Sequence, residues 1–125
     1  MRLKEILDVQ QAVISLSNVL LPTPQQNREV YRLLKAVMGE ADNYKLQGNK
    51  ILMKYGERKP TGEYFVPRGS LNFNIALQEL SALENMDVDL AFKPIVIDFD
   101  SLNLNAADVY SLEKAGIIKL GESGK

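Results

Sequence analysis

No cysteine, no histidine and no tryptophan occur among the 125 residues. The first absence removes disulfides and thiolate nucleophiles, and with the second it removes most zinc sites and the commonest general base. The third leaves no indole platform for a sugar, which weighs against glycoside chemistry. Charge of one sign is not in excess either: 15 Lys and Arg stand against 16 Asp and Glu, so no global basicity holds a phosphate backbone non-specifically. Long apolar runs are also lacking. The longest, over residues 12–21, is interrupted by Ser15, Ser17 and Asn18, and Glu5 and Asp8 stand where a signal peptide needs an apolar stretch. Neither export by that route nor membrane spanning is expected. What remains, a chain with 46% hydrophobic residues, suffices for one core. We expect one domain over residues 1–120 and a loose, small and charged tail over 121–125.

The longest uninterrupted pattern covers residues 23–56 and predicts one long helix. Thr23-Pro24-Gln25-Gln26 has the order of a helix start: a hydroxyl N-cap, proline at the first position, and glutamine three residues after the cap. Gly56 stands where a left-handed residue closes a helix. Between them Val30, Leu34, Val37, Ala41, Tyr44, Gly48, Ile51 and Tyr55 recur at alternating steps of four and three, and Leu33, Met38 and Leu52 widen the stripe. Such a heptad seam is completed either by other parts of the chain or by another copy. Roughly 48 Å long, the helix must run the whole length of a small domain. Ala41 and Gly48 share one heptad column, where small residues admit a close neighbour, and Gly39 and Gly48 weaken the helix by about 2 kcal/mol together.

The remaining segments arrange themselves around that helix. Residues 2–21 read as a broadly apolar helix, with Leu3, Ile6, Leu7, Val13, Ile14 and Leu20 on one face; Pro22 and Pro24 force it to fold back on the first half of the long helix. A turn-rich stretch over 57–62 precedes a short strand around Tyr64, and Ser70 is placed to cap a third helix over 71–84. Its apolar face, Phe73, Ala76, Leu77, Leu80 and Leu83, is the expected partner of the distal half. Residues 88–92 and 95–99 alternate with period two and predict short strands, which with residues 64–66 would make a small antiparallel sheet. Asn105, followed three residues later by Asp108, caps a last helix that stops at Gly116. The fold class is therefore mostly α or α+β: a long central helix in an antiparallel helical hairpin, packed by a third helix, with a small antiparallel sheet and a short C-terminal helix.

Few constellations carry chemistry. Asp87, Asp89, Asp98 and Asp100 form two Asp-x-Asp pairs that offer oxygen ligands to a divalent ion, but alternation puts them on the polar face of the strands, where a solvated surface is the simpler account. Gly121-Glu122-Ser123-Gly124-Lys125 looks like part of a phosphate-binding loop without its upstream glycine or its helix. No catalytic residue, metal ligand or cofactor site is assigned, and an enzyme is not expected. Charge is nevertheless segregated: residues 24–59 carry eight Lys and Arg against four Asp and Glu, whereas 60–105 carry two against seven. Lys50, Lys54 and Arg58 recur every four residues, with Lys45 and Lys59 nearby, as a basic ridge at the helix end. It either complements the helix dipole and aids solubility or docks an acidic partner or a nucleic-acid backbone. Lys50, Lys54, Arg58 and Lys59 are the candidate partner-binding residues.

Several segments, in their order, resemble a family of small bacteriophage and prophage proteins known only as a domain of unknown function. The matching pieces are Leu21-Pro22, Lys54-Tyr55-Gly56-Glu57, Gly62-Glu63-Tyr64, Phe73-Asn74 with Leu77-Gln78-Glu79-Leu80, Val88-Asp89-Leu90, Lys93-Pro94-Ile95, and Ala107-Asp108 with Leu112-Glu113. The resemblance covers roughly residues 3–115 and departs from the family at 23–27 and 114–120. It carries over no catalytic residue. It implies a phage-encoded protein, located in the virion or the host cytoplasm, that acts by protein–protein contact as a small virion component of the connector or tail, or as an assembly factor. Its partners would be other phage structural proteins or further copies of itself, with no membrane. The alternative is a phage-encoded inhibitor or regulator of a host protein or nucleic acid that uses the basic end of the long helix.

Overall fold

A computed structural model of the chain describes residues 1–90, 92–98 and 102–121. Its elements are α1 (Leu3–Ser17), α2 (Pro24–Tyr55), β1 (Glu57–Arg58), β2 (Tyr64–Phe65), α3 (Leu71–Glu84), β3 (Ile95–Asp98), α4 (Ala106–Lys114) and β4 (Ile118–Gly121). The long helix begins where its capping residues place it. The Gln26 N–H donates to the Thr23 hydroxyl at 3.1 Å, and the Thr23 N–H donates to the Gln26 side chain at 3.1 Å, so two otherwise orphaned donors are satisfied reciprocally. Asn105 caps α4 in the expected way, its side chain accepting from the Asp108 N–H at 2.8 Å.

Helix α1 is shorter than expected, ending at Ser17 rather than near residue 21. Ser17 turns its hydroxyl back onto the Ile14 carbonyl at 2.6 Å. Asn27 then holds the connection by bonding both the N–H and the carbonyl of Leu21. That clamp buries Leu21 and turns Leu20, assigned above to the apolar face, out into solvent. Ser70 stands at the N-cap of α3 as predicted but makes no side-chain cap bond. Its hydroxyl donates instead to the Pro67 carbonyl at 2.7 Å.

The strand pairing departs furthest from expectation. An antiparallel sheet is present, but it is the hairpin β1–β2, with Glu57 opposite Phe65 and Arg58 opposite Tyr64. β3 does not join it. Instead β3 pairs in parallel with β4, Ile95 opposite Ile118 through Asp98 opposite Gly121. A parallel pair requires a crossover, which α4 supplies. Residues 118–121, which lie beyond the expected helix stop at Gly116 and reach the start of the expected loose tail, are therefore a strand. Residues 88–90 and 92 form no strand; the chain start lies beside them, with the Val88 N–H donating to the Met1 carbonyl at 2.7 Å. The alternation there is still real: Val88 and Leu90 are half-buried while Asp89 is exposed. Ala91, Phe99, Asp100 and residues 122–125 lie outside the described residues, and with them part of the predicted strands, one carboxylate of the second pair and most of the glycine-rich end.

Burial divides the long helix in two. Helix α1 lies along its first half, and β3, α4 and β4 close the other side of one core whose fully buried side chains include Ile6, Val13, Leu16, Val37, Ile97 and Leu112. The buried residues of α2 are Val30, Leu33, Val37 and Ala41, and none follows Ala41. Beyond it, among the described residues, the helix is covered mainly by α3 and the β1–β2 hairpin, and Ala76 is the buried residue of α3. The distal half thus forms an arm with little core of its own.

Three glycines of α2 and its end have different physical roles. A Cβ at Gly39 would meet nothing within 4 Å, and one at Gly48 would touch the Leu80 side chain at 3.8 Å, an ordinary contact. Neither position needs glycine for space. Gly56 does, although not for the left-handed turn expected: its backbone is extended, φ −108° and ψ −177°, and a Cβ would collide with the carbonyl oxygens of Phe65 and Leu52. That close approach lets the hairpin fold back at the helix end. In denaturant titrations, Gly39→Ala and Gly48→Ala should each stabilise the protein by about 0.8–1 kcal/mol. Gly56→Ala should destabilise it by about 1–3 kcal/mol, the cost of overpacking.

Candidate interaction surface

The arm is held by polar contacts that its periodicity conceals. Tyr44 and Tyr55, eleven residues apart and so three helical turns along one stripe, both point at α3. The Tyr44 hydroxyl donates to Glu84 at 2.7 Å and the Tyr55 hydroxyl to Glu79 at 2.9 Å. Lys54 joins the second of these, its ammonium 3.8 Å from Glu79 and 4.9 Å from the centre of the Tyr55 ring. Between the two clasps Leu80 lies over Gly48. Sequence reasoning placed both tyrosines in an apolar seam. The signal available to it was the pair of glutamates, five residues apart on a helix otherwise without charge.

These contacts shift two proton affinities. Burial, then the hydrogen bond and negative charge of Glu84, push the Tyr44 hydroxyl from 10.0 up to about 12. Lys54 is held above the ordinary lysine range, first by the adjacent Tyr55 side chain and then by the Glu79 carboxylate.

The basic ridge is consequently not a uniform row. Lys50 is exposed on α2, Lys54 is committed to Glu79 and Tyr55, and Arg58 is exposed in β1. Lys59 lies 5.3 Å from the centre of the Phe65 ring, and its backbone closes the hairpin through a 2.6 Å bond from its N–H to the Glu63 carbonyl. Arg58 and Lys59 therefore stand at the hairpin, one turn beyond Lys54, and the four residues mark the tip of the arm.

What sequence reasoning missed is the apolar surface of the same arm. Leu46 and Met53, seven residues apart on α2, are each 55% exposed. On α3, Leu71 is 91% exposed, Leu77 48% and Ile75 43%. Leu77, assigned to the packed face, is turned outward, while Phe73, Ala76, Leu80 and Leu83 face inward as predicted. Helix α3 is apolar around much of its circumference, which calls for burial on more than one side.

The candidate carboxylates give no comparable cluster. Asp87 and Asp89 are exposed and Asp98 lies on β3; among the described residues no three acidic side chains are grouped to hold a metal ion. An open cleft of about 530 Å³ between the end of α1 and the start of α4 is polar, lined in part by Asn18, Asn103, Asn105 and Asp108, and Asn105 is already occupied with its cap. No helix among the described residues is long and apolar enough to cross a membrane. Comparison of the chain with protein-family models, with curated proteins and with solved structures found no match.

Because the folded pKa of Tyr44 exceeds its unfolded value, its contribution to stability is fully present below pH 10 and is lost as the pH rises towards 12. Absorbance titration should show one tyrosine ionising near pH 12, absent in Tyr44→Phe. That variant should lower stability by about 1 kcal/mol at neutral pH, the usual worth of such a bond, with faster amide exchange concentrated in α3.

Proposed function

We propose that the protein is a non-enzymatic binding protein that works through protein–protein contacts made by its distal arm. The observation that carries this reading is the exposure of large apolar side chains on an arm that has scarcely any core: Leu46 and Met53 on one side, Leu71, Ile75 and Leu77 on the other. Exposed apolar surface of this kind marks interaction sites in soluble proteins. The segment order that resembles small bacteriophage and prophage proteins supplies the context, a virion component of the connector or tail, or an assembly factor. The lack of cysteine and histidine agrees with a role in contact rather than chemistry.

A second reading keeps the basic tip as the working surface, docking an acidic host protein or a nucleic-acid backbone. Exposed Lys50 and Arg58, with Lys59 beside Phe65, favour it. Binding through phosphate neutralisation would weaken steeply with salt.

With photoreactive residues at positions 53 and 77, cross-linking during infection should capture a phage structural protein, and mass spectrometry of purified particles should detect the chain. Absence from mature particles would leave the assembly-factor version alone; cross-links confined to a control position in the α1–α4 lobe would remove the arm reading. Lys50→Glu with Arg58→Glu should leave the captured partner bound, whereas its loss would favour the second reading.

A further inference from the structure

The outward surface of α3 is unusual in a chain with 25% charged residues. From Gly69 to Met86 the only charged residues are Glu79 and Glu84, and both are turned inward onto Tyr55 and Tyr44. Every exposed position is uncharged. Leu71, Asn74, Ile75, Gln78, Ser81 and Ala82 recur at the spacing that makes one continuous face, about three turns long and roughly 17 Å from end to end.

We propose that this face is a self-association surface that pairs antiparallel with α3 of a second copy, about a two-fold axis near Gln78. The inference deepens the protein-contact reading, on which it rests, by naming the partner. The chemistry of the face selects that partner. A helix lying on a membrane surface carries Lys and Arg on its polar side, and a nucleic-acid site needs cations; this face has neither. A partner of a different kind is ordinarily selected by complementary charge, which is also missing. A two-fold interface instead sets each residue near the axis against itself, where any charge would repel its own copy. Gln78, at the axis, supplies both donors and an acceptor, so it satisfies its own copy, and Asn74 and Ser81 beside it add no charge.

Charge at the two ends of the helix decides the direction. Arg68, exposed, lies just before α3 and Asp87, exposed, just after it. An antiparallel pairing about Gln78 brings Arg68 of each copy to Asp87 of the other, whereas a parallel one sets arginine on arginine. The same alignment lays Leu71 against Met86, the two most exposed apolar side chains of this stretch at 91% and 55%, and Ile75 against Ala82. An area one helix wide lies at the small end of stable interfaces, so the dimer is concentration-dependent.

Sedimentation equilibrium on the full chain from about 1 μM to about 500 μM should show the mass rising from one chain towards two, the span over which a weak interface fills. Ile75→Lys, at an exposed site, should keep its helix content and remain at the mass of one chain. Gln78→Glu and Gln78→Lys should each associate about tenfold more weakly, and their equimolar mixture should recover the dimer, because only a two-fold arrangement sets residue 78 against itself. A single-chain mass for the unaltered protein throughout, or Gln78 variants that dimerise unchanged, would overturn the proposal. So would loss of the dimer in Leu46→Lys with retention in Ile75→Lys. A monomer that is still cross-linked through residues 53 and 77 to a phage protein would sink only the second-copy inference, whereas a dimer with no such cross-link would sink only the phage-partner reading.

Discussion

Everything in this fold follows from the mismatch between one helix and the core available to cover it. α2 has 32 residues and is therefore about 48 Å long, yet its last residue in the main core cluster is Val37 and its last buried residue is Ala41. Helix α1, half the length of α2, covers only the first half. The βαβ unit of β3, α4 and β4 closes the far side of that same half, so the second half is covered by α3 and the hairpin without being enclosed. The helix persists beyond its core because its backbone bonds continue and because α3 and the hairpin lie along it. Its later turns have no deep burial.

Two different kinds of interaction therefore hold the two halves. The proximal lobe rests on interdigitated aliphatic side chains that are almost wholly removed from water, the term that dominates folding free energy. The arm depends on half-buried apolar contacts and on the tyrosine–carboxylate clasps of Tyr44 with Glu84 and Tyr55 with Glu79. Hydrogen bonds of this sort contribute modestly and directionally. They orient α3 more than they stabilise it, and regions of low burial open more readily than the core. Gly39, near where the two regimes meet, and Gly48, within the arm, soften the helix at positions where space does not require glycine.

The same economy explains the surface. The two glutamates of α3 are used internally, which strips its outer side of charge, while Lys54, Arg58 and Lys59 gather at the hairpin. One end of the molecule thus displays an uncharged, partly apolar helix face next to a basic tip, and the other holds the core, with Leu20, Tyr31, Val96 and Tyr110 exposed singly on its outside. That asymmetry is the physical content of reading the arm as the working end of a contact protein.

Much of the local structure was legible in the residues. Thr23 with Gln26, Asn105 with Asp108 and the heptad seam located α2 and α4 because capping and periodicity act over a few residues and need no distant partner. Ser70 marked the start of α3 although its hydroxyl went to Pro67, since its position outside the helix mattered more than its bond. The basic tip was likewise visible as Lys50, Lys54, Arg58 and Lys59, but not that Lys54 and Lys59 would turn onto Glu79 and Phe65. Strand pairing was not legible: residues 64–65 and 95–98 look equally suited to one antiparallel sheet, and only the close approach at Gly56 and the crossover through α4 send them to different partners. Leu20 and Leu77 failed for the same reason, each fitting its stripe yet facing water once a clamp at Asn27 or the clasped orientation of α3 had set the rotation. By itself the sequence determined which segments are helical and where α2, α3 and α4 begin, since those are short-range free energies, whereas the early end of α1 at Ser17 was not legible. Which half of the long helix is buried, which strands meet, and which face of α3 is left outside were decided by tertiary structure, because they depend on how a limited apolar volume is shared among segments far apart in the chain.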